Sequence, residues 1–419
     1  MKVFLFDLLP YGKQRLDVVK DGRLPWPFAP HFEPGVQIRT YAEHIDAWAE
    51  MEKYGFDGVS INEHHGTPYG MMNSPNLMAA ALSQKTNKMK ILILGNLLPV
   101  HDPLRLAEEI AMLDNLTNGR IICGVARGIP REYKYFNIPL SESRARFNEA
   151  FEIMKKAWTE DRFSHEGQFN SYNDISILPR TVQRPYPPVW VPLVGSKESV
   201  EWAGANADAI ALHAGQGANT DAAREDTLRY FAKCLGDNGR KLTRDMIALH
   251  INCYVADSKE KAVEEAGPYL RYLFGYLYGY DQGPFAPDSG YNSPQSRSHF
   301  RNPQVMSSMR PQTAPPSASV PQGQGPTQPR GFGVMTDEGF AQMAQALPIG
   351  SPDDVVNGIL REVEQTGAGN LLLMCNGGAM PQKMFLNQIK RIGEEVLPRL
   401  QKYNVKTVPA AEWHAANGG

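Results

Sequence analysis

The chain is predicted to fold as an α/β protein of the (β/α)8 TIM-barrel type. Three observations predict it: short β-rich apolar runs alternate with helical patterns, the runs number eight, and no G-x-G-x-x-G follows the first of them. The last weighs against a doubly wound open sheet, whose phosphate turn needs those glycines. With 42% hydrophobic and 21% charged residues over 419 positions, the composition is globular and able to bury a large core.

The runs follow in order. The first is Val3 to Leu9, and a helix from about Val36 carries Ile38, Tyr41, Ile45, Trp48 and Ala49 at helical spacing. The second, Asp57 to Ile61, leads into Glu63-His64-His65, and a helix from about Asn76 precedes the third, Ile91 to Leu98. Asp102-Pro103 reads as an N-cap with proline in the first turn, opening a helix with Leu104, Ala107, Ile110, Ala111 and Leu116. Run four is Arg120 to Ala126, before a helix with Phe147, Ala150, Phe151, Met154 and Trp158. Run five is Val189 to Val194, with a helix from Ser196; run six is Ala207 to Leu212 and run seven Ile247 to Val255. Ser351-Pro352-Asp353-Asp354 supplies a cap and first-turn acids to the helix before run eight, Leu371 to Cys375. A last helix spans about Gln382 to Leu400.

Two stretches interrupt the alternation. Residues 10–35 form a long loop rich in proline and aromatics, and residues 281–331 are dense in Pro, Gln, Ser and Gly. The second cannot bury enough surface to offset its ordering entropy, so it reads as a flexible insertion in a single barrel domain, either inert or a lid. The neighbourhood of Phe6, Trp26, Phe28 and Phe32 fits an apolar ligand and simple loop packing equally well.

A formal net charge of −2 and a pI near 6.6 disfavour nucleic acid as a partner. No apolar run approaches the ~20 residues that span a bilayer, and the N-terminal stretch is cut short by Asp7, unlike a signal peptide. Cys123, Cys234, Cys253 and Cys375 form no CxxC, so buried reduced thiols in a cytoplasmic protein are expected.

Barrel enzymes build their sites at the C-terminal strand ends. Run two delivers Glu63, His64 and His65; run three delivers Asn96, then His101 and Asp102; run four delivers Arg127-Gly128; run six delivers His213; run eight delivers Asn376. Gly195-Ser196-Lys197-Glu198-Ser199 opens a helix after run five. Its free N–H groups and hydroxyls suit a phosphate, or serve only as a cap, and Arg127 would add a charge-assisted fork. An imidazole in the Glu63-His64-His65 cluster suits proton transfer. A metal-dependent hydrolase using His64, His65, His101, His213 and Glu63 is a competing reading, weakened because adjacent His64 and His65 point opposite ways if the strand continues through them.

The order of motifs resembles one family. Gly55-Phe56-Asp57-Gly58-Val59 through His65, Leu98-Pro99-Val100-His101-Asp102-Pro103, Gly119-Arg120 through Arg127-Gly128, Ser143-Arg144 with Arg146-Phe147, Arg184-Pro185-Tyr186-Pro187-Pro188, and Gly350-Ser351-Pro352-Asp353-Asp354 are similar to segments of the bacterial-luciferase-like, flavin-dependent monooxygenases. The resemblance implies reduced FMN delivered by a separate NAD(P)H:flavin reductase, O2 as co-substrate, a C4a-peroxyflavin, a small organic substrate and a homodimer. It implies that Arg127, Arg144, Ser196 and Ser199 hold the flavin phosphate with Gly195 beside them. It also implies that Leu94, Gly95 and Asn96 lie against the ring, with a non-proline cis bond as in relatives, and that His64, with Glu63, assists proton transfer. F420-dependent oxidoreductases share the barrel and are the alternative of the same fold. Three positions depart from the light-emitting members: Gly195 replaces an acidic residue, Ala126 a cysteine, and Asn137 a frequent glycine after Phe136.

Overall fold

Alternation in the sequence becomes closure in space. Eight parallel strands, β1 (Lys2–Phe6), β2 (Gly58–Ile61), β3 (Lys90–Leu97), β4 (Ile121–Ala126), β5 (Val189–Pro192), β6 (Ala209–His213), β7 (Ile247–Asn252) and β8 (Asn370–Met374), pair in sequence order, and β8 returns to β1. The computed structural model describes residues 1–193, 196–214, 218–280 and 337–417. Gly195 and the 281–331 insertion therefore lie outside the described residues. Among the described residues no helix is long and apolar enough to cross a membrane.

The barrel is filled by side chains alternating inward. Phe4, Leu92, Leu94, Ile122, Trp190, Ala209, Ala211, Ala248 and Leu372 form its interior cluster. Small residues on β6 and β7 make room for Phe4 and Trp190, whose rings meet edge-on at 5.7 Å. The opposite strand faces pack on the helices.

Those helices are α1 (Pro34–Glu50), α2 (Pro75–Ser83), α3 (Pro103–Leu116), α4 (Pro130–Tyr135), α5 (Ser143–Thr159), α6 (Lys197–Asn206), α7 (Ala218–Asp237), α8 (Lys259–Arg271), α9 (Pro352–Thr366) and α10 (Gln382–Arg391). The caps form as expected. Asp102 accepts the Arg105 amide at 2.8 Å, and Ser351 and Asp354 make a reciprocal capping box. All five apolar residues predicted for α5 are buried. The predicted face of α1 is corrected: Ile38 is 69% exposed, while polar Gln37, Thr40 and His44 are buried. For His44 a buried carboxylate is the reason, since Asp7 accepts from His44 Nδ1 at 2.6 Å and Trp48 Nε1 at 2.7 Å; Thr40 instead donates to the Val36 carbonyl at 2.9 Å.

Three strand ends are also corrected. β1 stops at Phe6, because the Asp7 carboxylate turns back to the Leu9 amide at 2.7 Å and Leu9 adopts φ 47°. Run seven divides: β7 ends at Asn252, and Tyr254–Val255 pair outside the barrel with Ile349–Gly350. Run five ends at Pro192. A hairpin, Phe163–Glu166 with Ser171–Ile175, and a helix, Pro409–Asn417, were not anticipated. The last predicted helix continues to Lys402 through a wider turn at Ile392–Val396.

β3 and β4 approach unusually closely where their register shifts between Ile93 and Asn96. A Cβ on Gly124 would overlap the Ile93 carbonyl oxygen, and one on Gly95 would sit 2.7 Å from Gly124 C and Val125 N. Glycine at 95 thus permits the close approach of the two strands. The Leu94–Gly95 peptide is cis.

Candidate active site

The C-terminal mouth of the barrel opens into a cavity of about 470 Å3. Glu63, His64, Leu94, Gly95, Arg127, Arg144, Ser196 and Ser199 all line it, so eight of the ten residues named from the sequence converge there. Asn96 does not line it: it is wholly buried on β3, and neither polar atom of its side-chain amide has a partner. The tenth, Gly195, is the position outside the described residues.

One side of the cavity is an anion cradle. Ser196 caps α6, and its hydroxyl lies 2.8 Å from the Ser199 hydroxyl. Arg144, from the first turn of α5, reaches both with Nη2, at 2.7 Å to Ser199 Oγ and 3.3 Å to Ser196 Oγ. Its guanidinium lies 5.8 Å from the centre of the Phe147 ring. Arg127, just past β4, contacts Ser143 Oγ at 3.5 Å. The N-terminal turn of α6 adds its dipole to two guanidinium groups and two hydroxyls. This donor set fits a phosphate monoester in charge and in hydrogen-bonding capacity.

The imidazoles are separated by their partners. His64 Nδ1 lies 3.2 Å from Glu132 Oε1 and 3.3 Å from the Tyr69 hydroxyl. Facing a buried carboxylate, Nδ1 carries the proton and donates, which leaves Nε2 for a ligand. Glu132 is itself held, its other oxygen accepting the Ile129 amide at 2.7 Å. Glu63 is a hub of another kind. Its carboxylate accepts from His65 Nε2 at 2.8 Å, His101 Nε2 at 2.9 Å and the Leu97 amide at 2.9 Å. Burial alone would raise its pKa, but the two imidazoles and the amide outweigh that and hold it at about 2. Glu63 is therefore a fixed anion that ties the loop after β2 to the end of β3. His64 and His65 take different partners, although β2 ends at Ile61 and the strand does not continue through them. Among the described residues no three His, Cys, Asp or Glu side chains are placed to share a metal ion.

Two groups escaped the sequence reading. Glu132 is the third residue of a six-residue helix and looks like a first-turn acid; only its distance from His64 in space assigns it a partner. His250 sits within the apolar run of β7, and a histidine at an inward strand position was the missed signal. It pairs with His213 at the cavity floor. Of the four aromatics that suggested an apolar ligand, Phe6 alone lines the cavity. Phe28 is buried against Tyr11 and Tyr280, which is loop packing. Asn137 has φ 53°, the left-handed region that explains the glycine frequent there.

A parallel barrel with guanidinium and hydroxyl groups beyond β4 and β5, and a carboxylate-held imidazole beyond β2, carries its polar groups where barrel enzymes build their sites. This chain belongs to the luciferase-like monooxygenase family, whose model matches residues 25–370. The protein y4wF of Sinorhizobium fredii is 32% identical over 249 residues, 58% of this chain and 70% of the relative. The oxygenase component of flavin-dependent trigonelline monooxygenase from Acinetobacter baylyi is 29% identical, covering 54% of this chain and 62% of its own. Among solved structures, the FMN complex of the oxygenating constituent of 3,6-diketocamphane monooxygenase from Pseudomonas putida has a TM-score of 0.68 at 18% identity, covering 95% of this chain and 98% of that one. An F420-dependent secondary alcohol dehydrogenase has a TM-score of 0.59 at 14% identity, covering 94% and 98%. At such identities these structures speak to the fold.

Proposed function

We propose that this protein is the oxygenase of a two-component, FMN-dependent monooxygenase. It would take reduced FMN from a separate NAD(P)H:flavin reductase and use O2 to oxygenate a small, largely apolar organic substrate. The observation that carries the reading is the Arg144 guanidinium seated on the hydroxyls of Ser196 and Ser199 at a helix N-terminus, in the same cavity as Arg127 and His64. When bound, reduced flavin supplies the electrons that activate O2. The chain's own residues do the rest. Arg127, Arg144 and the two serines hold the phosphate, and the barrel mouth excludes water behind Phe6, Leu94, Leu97 and Trp202. His64, with its proton fixed at Nδ1 by Glu132, exchanges a proton at Nε2. Glu63 positions this wall and transfers no proton of its own near neutrality.

The name of the trigonelline relative, an oxygenase component, supports a reductase partner. Exposed Leu77 on α2 and Met112 and Leu116 on α3 support a homodimer through these helices. Anaerobic calorimetry tests the cofactor. Dithionite-reduced FMN is expected to saturate one site per chain, and Arg144→Ala to weaken FMN at least ~10-fold while leaving riboflavin nearly unchanged, since a charge-assisted contact is worth ~1.5–3 kcal/mol. Equal losses for both flavins would refute the phosphate assignment. Saturation by F420 and not by FMN would favour the deazaflavin reading, which shares this barrel.

A further inference from the structure

The floor of the cavity carries two histidines that the scheme above does not use. His213 ends β6 and His250 occupies the inward face of β7, directly paired with it in register. Their Nδ1 atoms lie 2.9 Å apart, with ring centres 4.7 Å apart and planes at 78°. Phe6 packs against His250 with the two rings in a T-shaped arrangement, their centres 4.5 Å apart. His250 is buried and its Nε2 has no partner, whereas His213 is open to the cavity though surrounded by protein.

A hydrogen bond between two Nδ1 atoms needs one proton on one ring and a lone pair on the other. Burial lowers the pKa of both rings, and for His250 the neighbouring His213 lowers it further, so the pair is neutral near pH ~7. Two arrangements remain. If His213 donates, His250 must be protonated on Nε2, leaving a buried N–H without an acceptor. If His250 donates, its Nε2 is a bare lone pair in an apolar wall, and His213 carries its proton on Nε2, facing the cavity. Orphaned N–H groups are the rarer and costlier kind, so the second arrangement holds.

We propose that His213, its tautomer fixed by His250, is a hydrogen-bond donor site for a carbonyl-type oxygen of the ligand at the cavity floor. An uncharged donor flanked by Phe6, Leu372 and Ala211 suits a neutral oxygen on an otherwise apolar or aromatic frame. A carboxylate or phosphate would find no counter-charge from these rings. Two sources of that oxygen exist under the flavin reading, on which the ligand, though not the tautomer, depends. They are a ring carbonyl of the flavin and a carbonyl of the oxidised substrate.

Protein labelled with nitrogen-15 histidine decides the matter, with His213→Phe and His250→Phe assigning the signals. Without ligand at neutral pH, His250 is expected to be protonated on Nδ1 only and His213 on Nε2 only. Reduced FMN is then added anaerobically, followed by cyclohexanone as a bare carbonyl probe. If the flavin supplies the oxygen, the His213 Nε2 signal shifts at the first addition and His213→Phe weakens reduced FMN ~10-fold, the size of one lost hydrogen bond. His213→Gln, which keeps an N–H donor, recovers part of that affinity. If the second ligand supplies it, the signal moves only on adding cyclohexanone, and the variants bind reduced FMN like the wild type. Reversed tautomers, a doubly protonated His213, or silence toward both probes overturns the proposal. A wild type that fails to bind reduced FMN refutes the cofactor reading instead, while the tautomers and the cyclohexanone arm still decide the role of the pair.

Discussion

Glu63 meets His65, His101 and the Leu97 amide with a single buried carboxylate, and this sets when its charge matters. Held at about 2 when folded, against ~4.3 in an unfolded chain, it stabilises the fold fully above the unfolded value and loses that contribution as pH falls toward 2. The difference corresponds to ~3 kcal/mol. Glu63→Gln is therefore expected to lower stability at neutral pH by about that amount, and to flatten the acid limb of a stability-against-pH curve measured by urea unfolding between pH ~5 and ~2. An unchanged acid limb would mean that Glu63 carries no linked proton. Glu132 acts on His64 differently, through orientation. His64→Ala is expected to cut turnover by ~10²–10⁴ with reduced-FMN affinity kept. Glu132→Gln is expected to cut it less and to shift the pH profile of turnover, with the melting point within a few degrees of wild type. A Glu132→Gln profile superimposable on the wild type after scaling would reduce Glu132 to a structural role. Neither Glu132 nor His250 was legible from the sequence, because each matters through a partner 68 or 37 positions away. Arg144 and Ser196 were singled out through the resemblance, and the structure shows that Ser196 caps α6.

Strands and helices were readable where one physical demand acted alone. The caps at Asp102 and Ser351 follow from local hydrogen bonding, and the α5 face follows from apolar spacing alone. Errors arose where a distant group intervened. Apolar Leu8 and Leu9 extend the hydrophobic run but leave the barrel at Asp7, whose carboxylate also draws polar His44 inward on α1. The Phe163–Glu166 hairpin alternates buried and exposed residues over four positions, too short a signal to separate from a loop. Gly95 and Gly124 give this scale its sharpest test, since the two strands approach where neither tolerates a side chain. Gly124→Ala, whose methyl group meets the backbone carbonyl of Ile93, is expected to cost ~3 kcal/mol and to displace the wall of the cavity. Chemical denaturation should show the lower midpoint, and reduced-FMN affinity should fall with it. A variant as stable as the wild type would mean that β3 and β4 can separate cheaply at their register shift.

At the scale of the molecule there are two large apolar clusters beside the barrel interior. One lies between strands and helices. The other joins the loop over residues 10–35 to the segment from Ala262 to Tyr280 and the helix Asp337–Ala346. Tyr11, Leu24 and Phe28 on the loop pack with Tyr272, Leu273 and Tyr280, so the aromatic content of 10–35 builds a second core above the barrel mouth. Backbone polar groups in that loop need partners, and side-chain hydroxyls supply them: the Tyr272 hydroxyl accepts the Arg15 amide at 3.0 Å and the Tyr11 hydroxyl accepts the Glu33 amide at 2.9 Å. Neither bond involves a barrel strand, although Phe6 of β1 and Met374 of β8 pack into the cluster, so the loop is expected to open at lower cost than the barrel. Tyr272→Phe leaves the Arg15 amide buried and unpaired, a loss of ~1–3 kcal/mol felt only in states where the loop is docked. Hydrogen exchange should therefore quicken for amides of 10–35 by ~10-fold or more while the β1–β8 amides keep their protection. Were the barrel amides to quicken equally, the two clusters would unfold together, and the aromatic loop would belong to the same cooperative unit as the barrel mouth it borders.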